Sequence, residues 1–163
     1  MKKFKFLEHT ADMKFQSFGK TLEEAFENAA LALQEIMTKG IKVKSRINKK
    51  FEVNGKDNER LLYDFLEEFL FLLDSEDFLL SKIKRIKITR IPITNKTEKI
   101  NKSKAEADED DNGKAYNYKL TAEVIGDDAD NYDFTNNVKA ITYNEMFVKE
   151  EKSRWVCQVV VDV

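Results

Sequence analysis

The last ten residues, Arg154 to Val163, alternate so that Trp155, Cys157, Val159, Val161 and Val163 share one face of a strand and Val156, Gln158, Val160 and Asp162 the other. Both faces are largely apolar, and a strand apolar on both faces belongs in the interior of a sheet, with neighbours on each side. Asp162 stands at the edge of this run. A carboxylate there needs a cation, backbone N–H groups or water. A second carboxylate ends an apolar, strand-like stretch near the start of the chain, in Glu8-His9-Thr10-Ala11-Asp12. If the two segments meet in the fold, Asp12, Asp162 and the main-chain carboxylate at Val163 offer three hard oxygen donors to one divalent ion.

The chain has 163 residues, the size of one domain, and its 42% hydrophobic content with 12 phenylalanines is enough for a substantial core. The formal net charge of -2 gives the chain as a whole no signature of a nucleic-acid binder, so no strong direct binding is expected, although a local basic stripe remains open. Cys157 is the sole cysteine, which excludes an internal disulfide and fits a reducing, cytoplasmic setting. The apolar positions after Lys2 and Lys3 are soon interrupted by polar ones, so neither a signal peptide nor a membrane span is expected.

Lys3 to Leu7 and Met13 to Phe18 have strand composition, with His9 to Asp12 as the turn between them. Thr21-Leu22-Glu23-Glu24 is a capping-box pattern, and Leu22, Ala25, Phe26, Ala29, Leu33, Ile36 and Met37 recur at helical spacing until Gly40, read as a left-handed stop. Val43 to Val53 reads as a strand ending in an Asn54-Gly55 turn. Asp57 or Asn58 then caps a mostly buried helix through Leu61 to Leu73, whose Asp64, Glu67 and Glu68 form a narrow acidic stripe.

Ile83 to Ile91 and Tyr116 to Ile125 read as strands of one antiparallel sheet. Between them, about residues 94–114, large apolar residues are nearly absent, and a mobile polar insertion is expected. Asp127 to Asp133 reads as an acidic loop. Val138 to Tyr143, Met146 to Lys149 and Arg154 to Val163 read as a terminal meander, with Asn144-Glu145 and Lys152-Ser153 as its turns.

Four segments in this order resemble the archease family: Glu8 to Asp12; Gly19 to Phe26; Leu61 to Phe65 running on to Asp74; and Val138 to Tyr143 with the terminal Val159 to Val163. The resemblance implies a single α+β domain over 1–163, with two helices packed on antiparallel sheet. It implies an accessory factor that activates a GTP-dependent RNA ligase in tRNA splicing by promoting its guanylylation and multiple turnover, rather than an enzyme with catalytic residues of its own. It implies a divalent-metal site made by Asp12, Asp162 and Val163, and a functional lysine at Lys139. Archease-like proteins are also associated with a chaperone role toward a tRNA methyltransferase. Two departures stand out: Asn144 occupies a position where a histidine is frequent, and Met13-Lys14 follows Asp12 where small residues are common.

An all-oxygen ligand set favours Ca²⁺ first, with Mg²⁺ or Mn²⁺ as alternatives, over Zn²⁺. The residues alone also carry a plainer reading, with Asp12 capping a turn and Asp162 a solvated strand end. His9, the only histidine, excludes a two-histidine site within the chain; it either faces a partner or is satisfied by the turn. Lys139 either aims its ammonium at a phosphate or snorkels to solvent. With no glycine-rich phosphate loop and no nucleophile elbow, a metal-dependent phosphohydrolase using the two aspartates and Lys139 is the third and weakest reading.

Overall fold

The computed structural model describes residues 2–94, 108–109 and 113–163. Its elements in chain order are β1 (Phe4–Leu7), β2 (Met13–Gly19), α1 (Leu22–Thr38), β3 (Ile47–Gly55), α2 (Asn58–Glu76), β4 (Phe78–Pro92), β5 (Asp108–Glu109), β6 (Ala115–Asp128), a 3-10 turn (Ala129–Asn131), β7 (Ala140–Glu151) and β8 (Arg154–Asp162). Most of the segment expected to be a mobile insertion, about 94–114, lies outside the described residues. Within it, Asp108–Glu109 pairs with Ala115 and Tyr116.

Both helices begin where local chemistry starts them. The Glu24 amide donates to the Thr21 hydroxyl (3.1 Å), and the Arg60 amide donates to the Asp57 carboxylate (2.7 Å), so each cap satisfies a first-turn N–H. The Glu24 carboxylate accepts from the Lys20 amide at 2.8 Å, one residue earlier than the capping box places it. At the far end of α1, the left-handed turn is shared by Lys39 (φ 54°) and Gly40 (φ 84°).

The strands form two antiparallel sheets, and the segments expected to share one, Ile83 to Ile91 and Tyr116 to Ile125, do so in β4 and β6. The first has the order β1-β2-β8-β7; the second has the order β3-β6-β4, with β5 adding to β6. As its two apolar faces require, β8 is interior, with β2 on one side and β7 on the other. Helix α1 packs on β2, β8 and β4, and α2 packs on β7, β3, β4 and β6, so the helix pair lies between the sheets. That position explains why α1 buries more than one stripe, Ala25, Ala29, Ala30 and Ala32 along with Phe26, Leu33 and Met37. Phe26 stacks on Phe65 at 5.8 Å, and Phe69 meets the Phe65 ring edge-on at 5.1 Å. No helix of the described residues is long and apolar enough to cross a membrane.

Three local expectations are corrected. The strand expected from Val43 starts only at Ile47, and Asn54-Gly55 ends it as part of β3 instead of forming a turn. The stretch from Ala140 to Glu151 is one strand, not two joined by a turn: Thr142 pairs with Val160 and Phe147 with Gln158, so residues 143–146 bulge out opposite a single residue of β8. Only Lys152-Ser153, with φ of 46° and 68°, makes the expected turn.

The third correction concerns Asp127, which belongs to the end of β6 and is only 2% exposed. Its carboxylate accepts from the Tyr132 hydroxyl (2.7 Å), the Asp128 amide (2.9 Å) and the Asn131 amide nitrogen (3.3 Å), with the Arg46 guanidinium at 3.5 Å. Tyr132 in turn accepts from the Lys44 amide at 2.8 Å, so Asp127 ties the end of β6 to the segment entering β3. The Tyr132 bond, followed by the two amide bonds and Arg46, holds this carboxyl below its ordinary range. Its stabilisation is therefore fully present above the unfolded carboxyl's pKa and is lost as pH falls through the lower, folded value. Asp127→Asn should flatten the acid side of the stability curve between about pH 5 and pH 2. Urea midpoints measured across that range check this; a variant whose acid limb matches the native one would remove Asp127 from the account.

Candidate functional site

The pairing of β2 with β8 decides where Asp12 lies. Met13 is opposite Val161, so one residue further along the same register Asp12 is level with Asp162. On the other side of β8, Ala140 is opposite Asp162, and the Lys139 amide donates to the Asp162 carbonyl at 2.8 Å. Asp12, Asp162, Val163 and Lys139 thus meet at one end of the first sheet, across three adjacent strands. Lys139 lies just before β7, in the stretch Val138 to Tyr143 expected to be strand throughout, and its side chain is exposed.

In β8, Cys157, Val159 and Val161 face the helices and belong to the main core. By alternation Gln158, Val160 and Asp162 face outward, as does Lys14, which pairs with Val160. The turn that delivers Asp12 to this outer face passes through Ala11 in the left-handed region (φ 67°), a conformation that costs a non-glycine residue roughly 1–2 kcal/mol. It sets His9 beside Asp12, with Nδ1 3.8 Å from Asp12 Oδ2.

Glu145 completes the cluster, and nothing in the sequence pointed to it beyond a turn. It occupies the bulge of β7 with φ 55°, and Gln158 Nε2 donates to its carbonyl at 2.8 Å. Its carboxylate lies 2.9 Å from His9 Nε2 and 3.5 Å from Lys14 Nζ. The His9 hydrogen bond, then the Lys14 ammonium, hold Glu145 below the usual glutamate range. Tyr143 anchors the start of the bulge by stacking on Tyr63, with ring centres 4.3 Å apart and planes 7° from parallel. His9 is therefore held from its Nε2 side by Glu145. Its Nδ1 is buried and has no hydrogen-bond partner among the described residues.

The donor set can be tested against a divalent cation. Two carboxylates at the same level of neighbouring strands, beside main-chain oxygen at Val163, suit a hard ion that takes oxygen ligands. The buried Nδ1 of His9, next to Asp12 and without a hydrogen-bond partner among the described residues, is a further polar group that a bound species could meet. Among the described residues no three His, Cys, Asp or Glu side chains form a group that could hold a metal ion, and the set of Asp12, Asp162 and Val163 relies on main-chain oxygen for its third donor. Asp162 makes no ion pair among the described residues, and Lys14 and His9 are engaged with Glu145. The donor chemistry of these residues suits such a cation, with the side chains supplying only part of its shell.

Comparison with known proteins follows the same lines. Residues 4–163 match the family described as "Archease protein family (MTH1598/TM1083)". The chain is 37% identical to protein archease of Pyrococcus abyssi and 34% identical to that of Sulfolobus acidocaldarius, each match covering 100% of both chains. Among solved structures, the solution structure of Methanobacterium thermoautotrophicum protein 1598 superposes with a TM-score of 0.69 at 30% identity, covering 100% of both chains. A Thermotoga maritima crystal structure, described as an archease and possible chaperone, superposes with a TM-score of 0.55 at 21% identity over 96% of this chain and 94% of that one, a likeness of fold. Matched from Phe4 to Val163, with both strands that frame the candidate site inside the match, the chain belongs to the archease protein family.

Proposed function

We propose that this protein is an accessory factor that activates a GTP-dependent RNA ligase of tRNA splicing, promoting guanylylation and repeated turnover of that ligase. In this reading Asp12, Asp162 and the main-chain oxygen of Val163 hold a divalent cation, Ca²⁺ first and Mg²⁺ or Mn²⁺ as alternatives. Lys139 and His9 face the partner. The observation that carries it is the register that sets Asp12 level with Asp162 while Lys139 is bonded to the Asp162 carbonyl. Family membership supports an accessory role toward a partner, and the RNA ligase is the partner this reading assigns.

The chain's own residues have distinct tasks. Asp12 and Asp162 supply the charged oxygens. Glu145 fixes the His9 ring through Nε2 and leaves Nδ1 directed toward Asp12. Lys139, with its backbone pinned and its stem free, presents a positive charge beside the carboxylates, where a phosphate of the partner's nucleotide can be met. A cation bound here would add positive charge that attracts phosphate oxygens. No step of bond making is assigned to this chain.

The test is multiple-turnover ligation by the natural partner ligase with GTP, with and without this protein. Stimulation is expected; an unchanged turnover number would sink the reading. A second reading then leads, a chaperone of a tRNA methyltransferase. It is favoured by a 280 Å³ largely apolar cleft beside the same end of the molecule, lined by Phe6, Met13, Ile36 and Val163 together with Glu35, Lys39 and Asn137, with Phe6 42% exposed. Its mark is suppression of methyltransferase aggregation that survives chelation.

A further inference from the structure

The second sheet, β3-β6-β4, has helices on one face only among the described residues. Its pairing shows what stands on the other face. Lys50 and Arg85 are both opposite Glu123, Lys87 is opposite Thr121, and Lys82 is opposite Ile125. Cross-strand partners share a face, so these four cations point the same way, away from Val124, Ala122 and Leu120, which pair with the core isoleucines Ile83, Ile86 and Ile88.

Strict alternation along β4 does not produce this sorting. From Ile83 it would send Arg85 inward and Ile86 out. The register shift between Ile83 and Arg85 inserts Lys84 as an extra residue, and a second shift between Leu80 and Lys82 inserts Ser81. Together they rephase the strand, so that the isoleucines meet the helices while Lys82, Arg85 and Lys87 all stand outside.

Among the described side chains of this face, both glutamates are already engaged. Glu123 pairs with Lys84 (3.5 Å) and Glu52 with Lys119 (3.2 Å). Lys50, Lys82, Arg85 and Lys87 are exposed and make no ion pair among the described residues. A chain of net charge -2 thus gathers on one open sheet four cations that have no ion pair among the described residues. Lys50, Glu52, Arg85, Thr121 and Glu123 line a shallow depression of about 420 Å³ there. Cations two residues apart on a strand stand about 7 Å from one another, a repeat that a chain of phosphates can follow. Among the described residues the outward positions of β3, β4 and β6 hold no aromatic side chain on which bases would stack, so recognition would run through phosphate without reading sequence.

We propose that the outer face of this sheet binds the phosphate backbone of RNA, through Lys50, Lys82, Arg85 and Lys87. The site is on the opposite layer of the molecule from Asp12 and Asp162, and it stands or fails independently of the cation and ligase readings.

Fluorescence anisotropy with a labelled single-stranded RNA of mixed sequence tests it. Four phosphate contacts predict a log–log salt slope of about -3, an affinity loss of about 50-fold between 50 and 200 mM salt. Replacing Lys50, Arg85 and Lys87 together by glutamine should leave a slope of about -1 and weaken binding at least about tenfold at 50 mM salt. Glutamine is preferred to glutamate because Lys50 and Arg85 both lie opposite Glu123. The control is glutamine at Lys20, Lys42 and Lys152, an equal change of net charge at exposed positions off this face, which should bind as the native protein does. The urea midpoint confirms folding of each variant, and single replacements serve if the triple variant is unstable. Absence of salt-dependent binding by the native protein, or an equal loss in the control triple, overturns the proposal. So does competition by polyglutamate as effective as that by RNA of equal charge, since it would point to an acidic protein surface instead.

Discussion

Asp12→Ala and Asp162→Ala are each expected to leave the protein folded while reducing ligase turnover to the rate seen without it. Asp12 is partly exposed and approaches His9 only at 3.8 Å, so its removal opens no cavity and breaks no buried bond. Asp162 keeps its backbone place in β8 whatever its side chain, because its carbonyl still accepts from the Lys139 amide. Two carboxylates level with one another on neighbouring strands are like charges, an arrangement that destabilises a sheet when they face directly. Either neutral variant should therefore melt at the native temperature or slightly above it in the presence of a chelator.

The native protein should behave differently when a divalent cation is added. A ligand at about 100 times its Kd adds about 2.7 kcal/mol to the stability of a protein it binds only when folded. For a chain of this size that raises the melting temperature by roughly 5–10 °C. The variants should lack this shift. Thermal scans with Ca²⁺, Mg²⁺ and Mn²⁺ measure it, and a full shift in both variants would move the cation away from these residues. Variants that lose the shift but still stimulate the ligase would instead separate the cation from activation.

Gly126→Ala is the substitution with the largest expected effect on the fold. Gly126 lies in β6 between Ile47 of β3 and Leu80 of β4. A Cβ placed on it would fall 1.8 Å from the Leu79 carbonyl oxygen and 2.8 Å from Phe78 Cζ. The first is backbone of a paired strand, so relief requires β4 to leave β6, and Phe78, Leu79 and Leu80 are all buried in the core. Overpacking against side chains costs about 1–3 kcal/mol, and a backbone obstacle places this variant at or above about 3 kcal/mol. The melting temperature should fall by roughly 10 °C. Urea unfolding with an unchanged m-value measures the loss; a variant within about 0.5 kcal/mol of the native protein would mean that the strands are not in this register.

What could be read from the residues was what short-range chemistry decides. Thr21 and Asp57 announce their helices because a cap needs only the next three residues. The interior place of β8 follows from its own alternation, since no edge strand buries Val156 and Val160 as well as Val159 and Val161. The division into two sheets was not legible, because it depends on which distant strand each one finds. The bulge of β7 was hidden for the same reason: nothing local says that Thr142 and Phe147 pair with β8 while the four residues between them do not. Asp127 looked like one acid in an acidic loop, but its partner Arg46 is 81 residues away. At the candidate site, Asp12, Asp162, Val163, Lys139 and His9 came from family resemblance joined to donor chemistry, and the register brings four of them to one end of a sheet. Glu145 escaped because its role depends on that bulge.

The first sheet joins strands from both sides of a long excursion through α1, β3, α2, β4 and β6, and His9 reaches a glutamate 136 residues away along the chain. Closing so long a loop is entropically costly before any long-range pairing repays it, so β2 and β8 should meet late, after the inner helices and second sheet have something to dock against. The candidate site would then have no partly assembled form: it is absent until the whole chain is folded, and competence for its partner becomes a report of completed folding. In native-state hydrogen exchange, the amides of Lys14 and Val160 should open only with global unfolding.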